Sequence, residues 1–353
     1  MRDAGIPLAE ALDRRTVEAV LARPEKEKVR CFACGHRCLI AKGRRGICKV
    51  RSNRDGKLRV PFGYVAGLQA DPVEKKPFFH VLPGSIALTF GMLGCDYRCV
   101  YCQNWMTSQA LRDPAATASF REIEADEIAA LAKRRGARLV VSSYNEPLIT
   151  AEWGAAVFDA ARREGLPGAI VSNGNGTPEA LDFLGPRLVA CKIDLKGFHS
   201  ARYRELGGNL DRVMETIREV HVRGIWLELV TLLVPGFNDD PSELRDLAGF
   251  IASVSRDIPW HVTAFHRDYR LTDGRDTVPE DLLRAAAIGS AAGLRFVYAG
   301  NQPGRVDDLE DTRCPSCQKI LIRRRGYSVS AEGMKEDGCC AGCGREIPGR
   351  WRA

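Results

Sequence analysis

Short apolar runs alternate with longer amphipathic stretches through the middle of this sequence, and this order limits the fold more than any other feature. The apolar runs are SIALTF, ARLVVSS, GAIVSNG, LVACKID, IWLELVTLLV, WHVTAFH and LRFVYAG, and stretches such as AEWGAAVFDAARREG and PSELRDLAGFIASV separate them. Short β-branched runs predict strands, and amphipathic stretches of this length predict helices. Strict alternation of the two predicts a parallel sheet covered by helices.

We therefore predict an α/β fold in which residues 83–305 form an incomplete (β/α) barrel. The alternative is an open doubly wound sheet. Such sheets carry a glycine-rich dinucleotide fingerprint after the first strand, whereas the first strand of this chain is followed by a cysteine triplet. The barrel is the better interpretation of the pattern.

Thirteen cysteines fall mainly into three groups that divide the chain. We predict that residues 1–82 form an N-terminal cysteine-rich metal-binding region and that residues 306–353 form a zinc-ribbon-like C-terminal tail. The first residues, MRDAGIPLAEALDRR, show no apolar export signal. We therefore expect a cytoplasmic protein, whose cysteines bind metal rather than form disulfides.

Composition argues against two other classes of partner. The sequence contains no apolar run of about 18 uncharged residues, so we expect no membrane association. The formal net charge is +7, but metal-bound thiolates carry negative charge that this count omits. We therefore expect no nucleic-acid partner, and we interpret the basic run Arg323, Arg324 and Arg325 as solvated surface.

The cysteine triplet follows the first predicted barrel strand directly, in SIALTFGMLGCDYRCVYCQNW. Cys95, Cys99 and Cys102 therefore lie at the carboxyl end of a strand, where barrels place their active sites. Three thiolates can hold three irons of a four-iron cluster and leave the fourth iron open to another ligand. The alternative is a zinc ion bound by these cysteines and one remote residue.

The CxxxCxxC spacing, with Tyr101 before the last cysteine, resembles that of the radical S-adenosylmethionine (radical SAM) superfamily. The resemblance implies a [4Fe-4S] cluster on Cys95, Cys99 and Cys102, with S-adenosylmethionine bound at its open iron. It further implies reductive cleavage of S-adenosylmethionine to a 5′-deoxyadenosyl radical, hydrogen-atom abstraction from a substrate, and an electron donor such as flavodoxin or ferredoxin.

Later strand ends supply further candidate cofactor contacts, which are Tyr101, Glu146, Ser172, Asn173, Asp194, Lys196 and His266. Glu146 resembles the acidic residue of the superfamily's GGE motif, although Tyr144 and Asn145 replace the glycines. Asp194 and Lys196 resemble the DxK pair of the pyruvate formate-lyase activating enzymes, and His266 matches a cofactor-contacting histidine by position. The alternatives are a solvated acid, a plain turn at Ser172 and Asn173, a surface ion pair and a structural histidine.

Both flanking regions have the spacing of metal sites. The N-terminal ligands are Cys31, Cys34, Cys38 and Cys48, which suit either zinc or a second iron–sulfur cluster. The tail carries two CxxC-type knuckles typical of a zinc ribbon, with the ligands Cys314, Cys317, Cys340 and Cys343. Cys339 is left over, and we expect this zinc to stabilise a segment too small to form its own core.

Nearly the whole chain resembles the AmmeMemoRadiSam system radical SAM enzymes, through CxxCxHxC, DPVEKKPFFHVLPG, the triplet, YNEP, YAGNQPG and CPSCQKILIRRRGY. This family is similar to the pyruvate formate-lyase activating enzymes, and its name implies two companion proteins as a possible protein substrate or partner. We therefore predict a radical SAM oxidoreductase, with a glycyl-radical-enzyme activating enzyme as the alternative. A zinc-binding adaptor and a ferredoxin-like electron carrier explain fewer of the residues at the strand ends.

Overall fold

The computed structural model describes residues 7–352 of the chain. Its N-terminal region consists of one helix and eight short strands: α1 (Leu8–Asp13), β1 (Thr16–Glu18), β2 (Ala22–Glu25), β3 (Lys28–Cys31), β4 (Leu39–Ala41), β5 (Ser52–Arg54), β6 (Lys57–Pro61), β7 (Tyr64–Val65) and β8 (Gly67–Pro72). Strands β2, β3 and β4 form one antiparallel sheet, and β1, β6 and β5 form another. Cys31 ends β3, Cys34 and Cys38 lie between β3 and β4, and Cys48 lies between β4 and β5.

Strands and helices then alternate as the sequence predicts: β9 (Ile86–Gly91), α2 (Trp105–Ser108), β10 (Arg121–Glu122), α3 (Ala125–Arg134), β11 (Ala137–Ser142), α4 (Ala151–Arg163), β12 (Gly168–Ser172), α5 (Pro178–Leu184), β13 (Leu188–Asp194), α6 (Ser200–Glu205), α7 (Leu210–Val222), β14 (Trp226–Leu233), α8 (Pro241–Val254), β15 (Trp260–Ala264), α9 (Pro279–Ala291) and β16 (Val297–Gly300). The tail adds β17 (Thr312–Arg313), β18 (Ile320–Arg325) and β19 (Ser328–Ser330). Three short 3-10 helices cover Val73–Lys75, Pro147–Thr150 and Gly185–Arg187.

Within the described residues, eight strands form the central sheet in the order β16-β15-β14-β13-β12-β11-β9-β8. All neighbours pair in parallel except β8, which runs antiparallel to β9. In the part of the chain that the structure describes, β16 and β8 are the two edges and do not pair with each other. The predicted fold class, an α/β chain with a mostly parallel and incomplete barrel, is confirmed.

Strand β13 shows how the sequence divides between the two faces of the sheet. Side chains two residues apart on a strand share a face. Lys192 and Asp194 line a cavity inside the barrel, whereas Cys191 and Ile193 belong to the hydrophobic core. On β13 the apolar side chains thus face the core and the charged ones face the lumen.

The segment between β8 and β9 packs inside the amino-terminal end of the barrel. Phe78, Val81 and Leu82 are buried against the early residues of several strands, among them Ala87 and Ala190. The backbone N–H groups of Phe79 and His80 donate to the Glu228 carboxylate of β14, both at 2.9 Å. Residues 73–85 thus form the floor of the barrel and are called the floor segment below. They make both polar and apolar contacts with the strands.

The tail packs directly on this floor. Its three-stranded sheet shares a core with the segment and with β16, whose members are Phe79, Phe296, Tyr298, Cys314, Leu321, Ile322, Cys340 and Ile347. Arg324 of β18 is buried, donates to the carbonyl oxygen of Phe79 at 2.7 Å, and lies 4.2 Å from the Phe79 ring centroid. Our interpretation of the arginine run as surface is therefore wrong for Arg324, while Arg323 and Arg325 are exposed.

None of the helices in residues 7–352 combines the length and apolar character that crossing a bilayer requires.

Candidate active site

The three cysteines of the triplet lie on the loop that leaves the carboxyl end of β9. The loop turns at Gly94, whose φ of +95° favours glycine and whose Cα faces Val50 of the N-terminal region. The N–H of Tyr97 donates to the Cys95 thiol at 3.4 Å, and the Cys102 thiol lies 3.2 Å from the Ser108 hydroxyl. Neighbouring polar groups therefore hold two of the three sulfur atoms in place.

Burial raises the pKa of all three thiols, that of Cys99 to about 12. The positive charge of Lys196 opposes this effect at Cys99 and Cys102. A buried thiolate requires such positive charge, and metal ions supply it when they bind cysteine. The environment of the triplet thus fits a metal centre better than three free thiolates.

A cavity of about 680 Å³ opens beside the triplet, at the carboxyl ends of the strands. Five of the predicted site residues line it, namely Cys99, Tyr101, Cys102, Asp194 and Lys196. The hydroxyl of Tyr101 is buried and has no hydrogen-bond partner among the described residues. A cavity of this size with an unpaired donor in its wall suits a polar small molecule.

Glu146 lies behind this wall and does not line the cavity. Its carboxylate accepts hydrogen bonds from the N–H of Leu148 at 3.0 Å, the hydroxyl of Ser172 at 2.8 Å and the N–H of Asn173 at 2.8 Å. Burial, and next the negative charge of Asp96, raise the pKa of Glu146. The structure thus brings Glu146, Ser172 and Asn173 together, although none of the three contacts the cavity.

Asp96, inside the triplet, is a site residue that we did not single out from the sequence. It is buried, and its carboxylate accepts from the side-chain amides of Asn173 and Asn175, both at 2.7 Å. Its Oδ1 also lies 3.7 Å from the Cys95 sulfur. The acidic residue within a cysteine motif and the NGN sequence after β12 were the available signals for this network.

Lys192 is a second residue that we did not single out. Its ammonium and that of Lys196 both pair with Asp194, at 3.4 Å and 3.3 Å. The signal was its spacing, two residues before Asp194 on the same face of a strand. His266, by contrast, is exposed and lies outside the lining of the cavity, so its role as a cofactor contact stays a prediction.

The N-terminal cysteines lie near the triplet. The N–H of Gly35 donates to the carbonyl oxygen of Asn175 at 2.8 Å, and the charge of Asp96 raises the pKa of Cys34 after the larger effect of burial. Backbone N–H groups of His36 and Val50 donate to the thiols of Cys34 and Cys48. Donors of this kind stabilise thiolates, which fits the chemistry of metal ligands.

The four predicted tail ligands come together in the structure. The Sγ atoms of Cys314, Cys317, Cys340 and Cys343 all lie within 4.8 Å of one another, and those of two pairs are 3.6 Å apart. The N–H of Gly342 donates to the Cys340 sulfur at 3.3 Å. Four thiols at this spacing can hold one metal ion, and tetrahedral zinc takes such a set. Cys339 lies outside the group, as the sequence predicted.

Comparison with known proteins places this arrangement in a family. The family model described as Radical SAM superfamily matches residues 90–248, which include the triplet, Glu146, Asp194 and Lys196. An uncharacterized protein of Methanocaldococcus jannaschii is 34% identical over 326 residues, which cover 92% of this chain and 96% of that protein. This relative matches the flanking regions as well as the barrel.

Solved structures resemble the chain more distantly. A domain of a pyruvate-formate lyase-activating enzyme from Bacteroides vulgatus is 20% identical, with a TM-score of 0.41, and the match covers 46% of this chain and 98% of that one. SuiB of Streptococcus suis bound to S-adenosylmethionine is 15% identical, with a TM-score of 0.47, over 65% of this chain and 51% of that one. The family match shows that residues 90–248 of this chain form a radical SAM superfamily domain.

Proposed function

We propose that Cys95, Cys99 and Cys102 hold a [4Fe-4S] cluster and that S-adenosylmethionine binds beside it in the cavity. When bound, the cluster supplies one electron to the sulfonium group, which breaks into methionine and a 5′-deoxyadenosyl radical that abstracts a hydrogen atom from the substrate. The observation that carries this proposal is that Cys99 and Cys102 line the same cavity as Asp194 and Lys196. Cysteine ligands and charged groups for a zwitterionic cofactor thus face one space.

The polar residues around the cavity have separate roles in this proposal. Lys196 and Asp194 form the ion pair that orients the charged ends of S-adenosylmethionine, and the Tyr101 side chain packs beside it in the wall of the cavity. Glu146 acts from behind the wall, because its carboxylate already accepts from the N–H of Leu148 and of Asn173. We assign Glu146, Ser172 and Asn173 to positioning the backbone that the cofactor meets, and His266 to a contact made from the exposed rim.

We propose metal centres in both flanking regions as well. The tail ligands Cys314, Cys317, Cys340 and Cys343 hold zinc, since their four sulfur atoms already surround one point. Cys31, Cys34, Cys38 and Cys48 hold either zinc or a second iron–sulfur cluster. The hydrogen bond between Gly35 and Asn175, and the effect of Asp96 on Cys34, support the proposal that a second cluster here would pass electrons to the triplet.

The finer assignments rest on the sequence motifs. We propose that the chain belongs to the AmmeMemoRadiSam group and that it receives electrons from a flavodoxin or ferredoxin. We also propose that it is divided into the N-terminal region 1–82, the barrel 83–305 and the tail 306–353. A protein substrate, including one of the companion proteins of that system, is the partner we propose. Activation of a glycyl radical enzyme is the alternative reaction for the same radical.

The first test is an anaerobic assay of the protein reconstituted with iron and sulfide. We expect about four irons per chain if the triplet alone holds a cluster, or about eight if the N-terminal group holds a second one. Addition of S-adenosylmethionine and a strong reductant should yield 5′-deoxyadenosine. Cys99→Ala should abolish this product, because one ligand of the cluster is lost, whereas Cys191→Ala, a buried cysteine of β13, serves as the matched control and should retain it.

Two results would reject the proposal. Protein that contains zinc but no iron after reconstitution, and forms no 5′-deoxyadenosine, would favour the adaptor. Product formation by Cys99→Ala at the rate of Cys191→Ala would show that the triplet does not carry the chemistry.

A further inference from the structure

Four lysines line the cavity and pair with only two aspartates. Lys75 and Lys76 share Asp71, at 2.9 Å and 3.0 Å. Lys192 and Lys196 share Asp194, at 3.4 Å and 3.3 Å. Each carboxylate therefore faces two ammonium groups, and all four lysines contact the same space beside the triplet.

The side chains of two of these lysines are buried. The side chain of Lys76 is 4% exposed and that of Lys192 is 7% exposed. Burial lowers the pKa of both, and the charge of Lys192 contributes to the lowering at Lys76, although Asp71 and Asp194 oppose it. The two ammonium groups come from different elements, the floor segment and β13, and are close enough to repel each other across the cavity.

Lys196 and Lys192 differ in what surrounds them. Lys196 is electrostatically coupled to Cys99 and Tyr101, which places its ammonium on the side of the proposed cofactor. The pKa of Lys192 is affected by the charge of Asp194, next by that of Lys196 and then by that of Glu228 on the barrel floor. Lys192 stands four residues before Lys196 and therefore deeper in the strand. The ammonium of Lys192 is thus available to a molecule other than S-adenosylmethionine.

Contacts with Tyr144 hold the Lys76 side chain in place. Its ammonium donates to the Tyr144 hydroxyl at 3.2 Å and lies 4.9 Å from the centroid of that ring. Tyr144 has a φ of +70°, which is rare for an aromatic residue, and its ring packs on Gly67, where a Cβ atom would lie 2.9 Å from Cδ2. Such strain persists at sites where the surrounding structure requires it.

Two glutamates also line the cavity, and both accept backbone hydrogen bonds, although Oε2 of Glu74 has no hydrogen-bond partner among the described residues. Glu74 accepts from the N–H of Gly84 at 2.8 Å and lies 3.9 Å from the Arg324 guanidinium. Glu310 accepts from the N–H groups of Gly304 and Gly326, both at 3.3 Å. Within the part of the chain that the structure describes, neither glutamate forms an ion pair with a lysine of the cavity. The four ammonium groups therefore still share only Asp71 and Asp194.

We propose that the cavity binds an anionic group of the substrate, a carboxylate or a phosphate, between Lys76 and Lys192. The inference rests on the proposed function, since it assigns a substrate class to the same site. Buried ammonium groups in excess are costly unless an anion accompanies them. An anion there would also hold the rest of the substrate toward the triplet, where the hydrogen atom is taken.

The test measures binding of two probes, inorganic phosphate and acetate, to the reconstituted protein loaded with S-adenosylmethionine. Anaerobic calorimetric titrations at constant ionic strength would compare wild type with Lys76→Met and Lys192→Met, which keep an apolar stem and remove the charge. The control is Lys57→Met, an exposed lysine of β6 that pairs with Glu18. We expect saturable binding of at least one probe, weakened about tenfold or more in each cavity variant and unchanged in the control.

The outcomes separate this inference from the proposed function. Tighter binding of phosphate or of acetate identifies which anionic group the site takes. Protein that forms 5′-deoxyadenosine but binds neither probe, or binds both equally well in all variants, would overturn the anion site and leave the radical chemistry intact. Protein that binds a probe through Lys76 and Lys192 but forms no 5′-deoxyadenosine would support the anion site and reject the radical reaction. Lys192→Met also removes an ion pair of Asp194. If that change disturbs Asp194, the variant Lys76→Met still tests the anion site, because Lys76 pairs with Asp71.

Discussion

At the scale of residues, Glu228 is a buried carboxylate with four hydrogen-bond donors around it. Its buried carboxylate accepts from the N–H groups of Phe79 and His80, from the Trp226 indole at 3.1 Å, and from His261 Nε2 at 2.7 Å. Burial alone would raise the pKa of Glu228, but the hydrogen bond and charge of His261 outweigh it and hold the pKa at about 2. Glu228 therefore fastens the floor segment to β14 and β15.

This network predicts that Glu228→Gln loses stability by an amount that does not depend on pH above 6.5, the ordinary pKa of the neighbouring His80 and His261. An amide in place of the carboxylate turns one acceptor into a donor, so we expect the free energy of unfolding to fall by about 2 kcal/mol. The pKa of Glu228 is about 2 in the folded protein, and the ordinary value is 4.5. The ionised carboxylate therefore contributes its full stabilisation above pH 4.5 and loses it only as the pH falls toward 2.

Urea unfolding of wild type and Glu228→Gln between pH 5 and 8 would check the prediction. The difference between the two proteins should be constant between pH 7 and 8. Below pH 6.5, the ordinary histidine pKa, it should stay the same or grow, because the charge of Glu228 raises the pKa of His80 and His261 in the wild type only. A difference that shrinks on acidification from pH 7 to pH 5 would mean that the carboxylate is not held ionised.

Single residues also mark the limit of sequence analysis. The triplet could be identified because its ligands are close in sequence and their spacing is specific. Asp96 and Lys76 were harder to identify, because partners such as Asn175 for Asp96 and Tyr144 for Lys76 come from distant parts of the chain. A charged residue in an unremarkable position carries no local signal of burial.

At the scale of elements, β18 connects the metal-binding tail with the barrel floor. Arg324 donates to the carbonyl oxygen of Phe79 and to the hydroxyl of Thr312, at 2.7 Å and 2.8 Å. Its two neighbours on the strand, Arg323 and Arg325, are exposed. The strand thus offers one buried arginine between two solvated ones, which makes a matched comparison possible.

We predict that Arg324→Met lowers the free energy of unfolding by about 3 kcal/mol, whereas Arg323→Met changes it little. The loss follows because the buried Glu74 and the Phe79 carbonyl would be left without their cationic partner. Chemical denaturation of the two variants and wild type at neutral pH would measure both effects. Equal stability of the two variants would show that the tail is not anchored through Arg324.

The predicted strands and helices of the barrel are confirmed, because each has a clear period and length in the sequence. The antiparallel strand β8 and the floor segment could not be predicted in this way. The floor segment alternates buried and polar contacts without a helical or strand period, since its backbone N–H groups serve Glu228 and its side chains fill the barrel. Only the assembled barrel explains its sequence.

At the scale of the whole molecule, two kinds of metal centre are proposed in separate parts of the chain. We predict that Cys317→Ser reduces the zinc content by one equivalent and leaves the iron content unchanged. The tail ligands form their own group, so the triplet contributes none of them. The matched control is Cys339→Ser, whose cysteine lies outside the group and should leave zinc in place.

Elemental analysis of the purified, reconstituted variants would measure both metals. Loss of iron in Cys317→Ser, with zinc retained, would indicate that the tail ligates the cluster or that the barrel depends on the tail for cluster binding. Loss of zinc in Cys339→Ser would mean that the four ligands have been assigned wrongly.

The packing of the tail on the floor also bears on how the protein is made. A chain leaves the ribosome amino end first, so β9 to β16 are complete before Arg324 and Tyr327 have been synthesised. Gly326 and Tyr327 line the cavity, so its wall stays open during that interval. The tail therefore completes the wall of the cavity beside the triplet only after the barrel has been made.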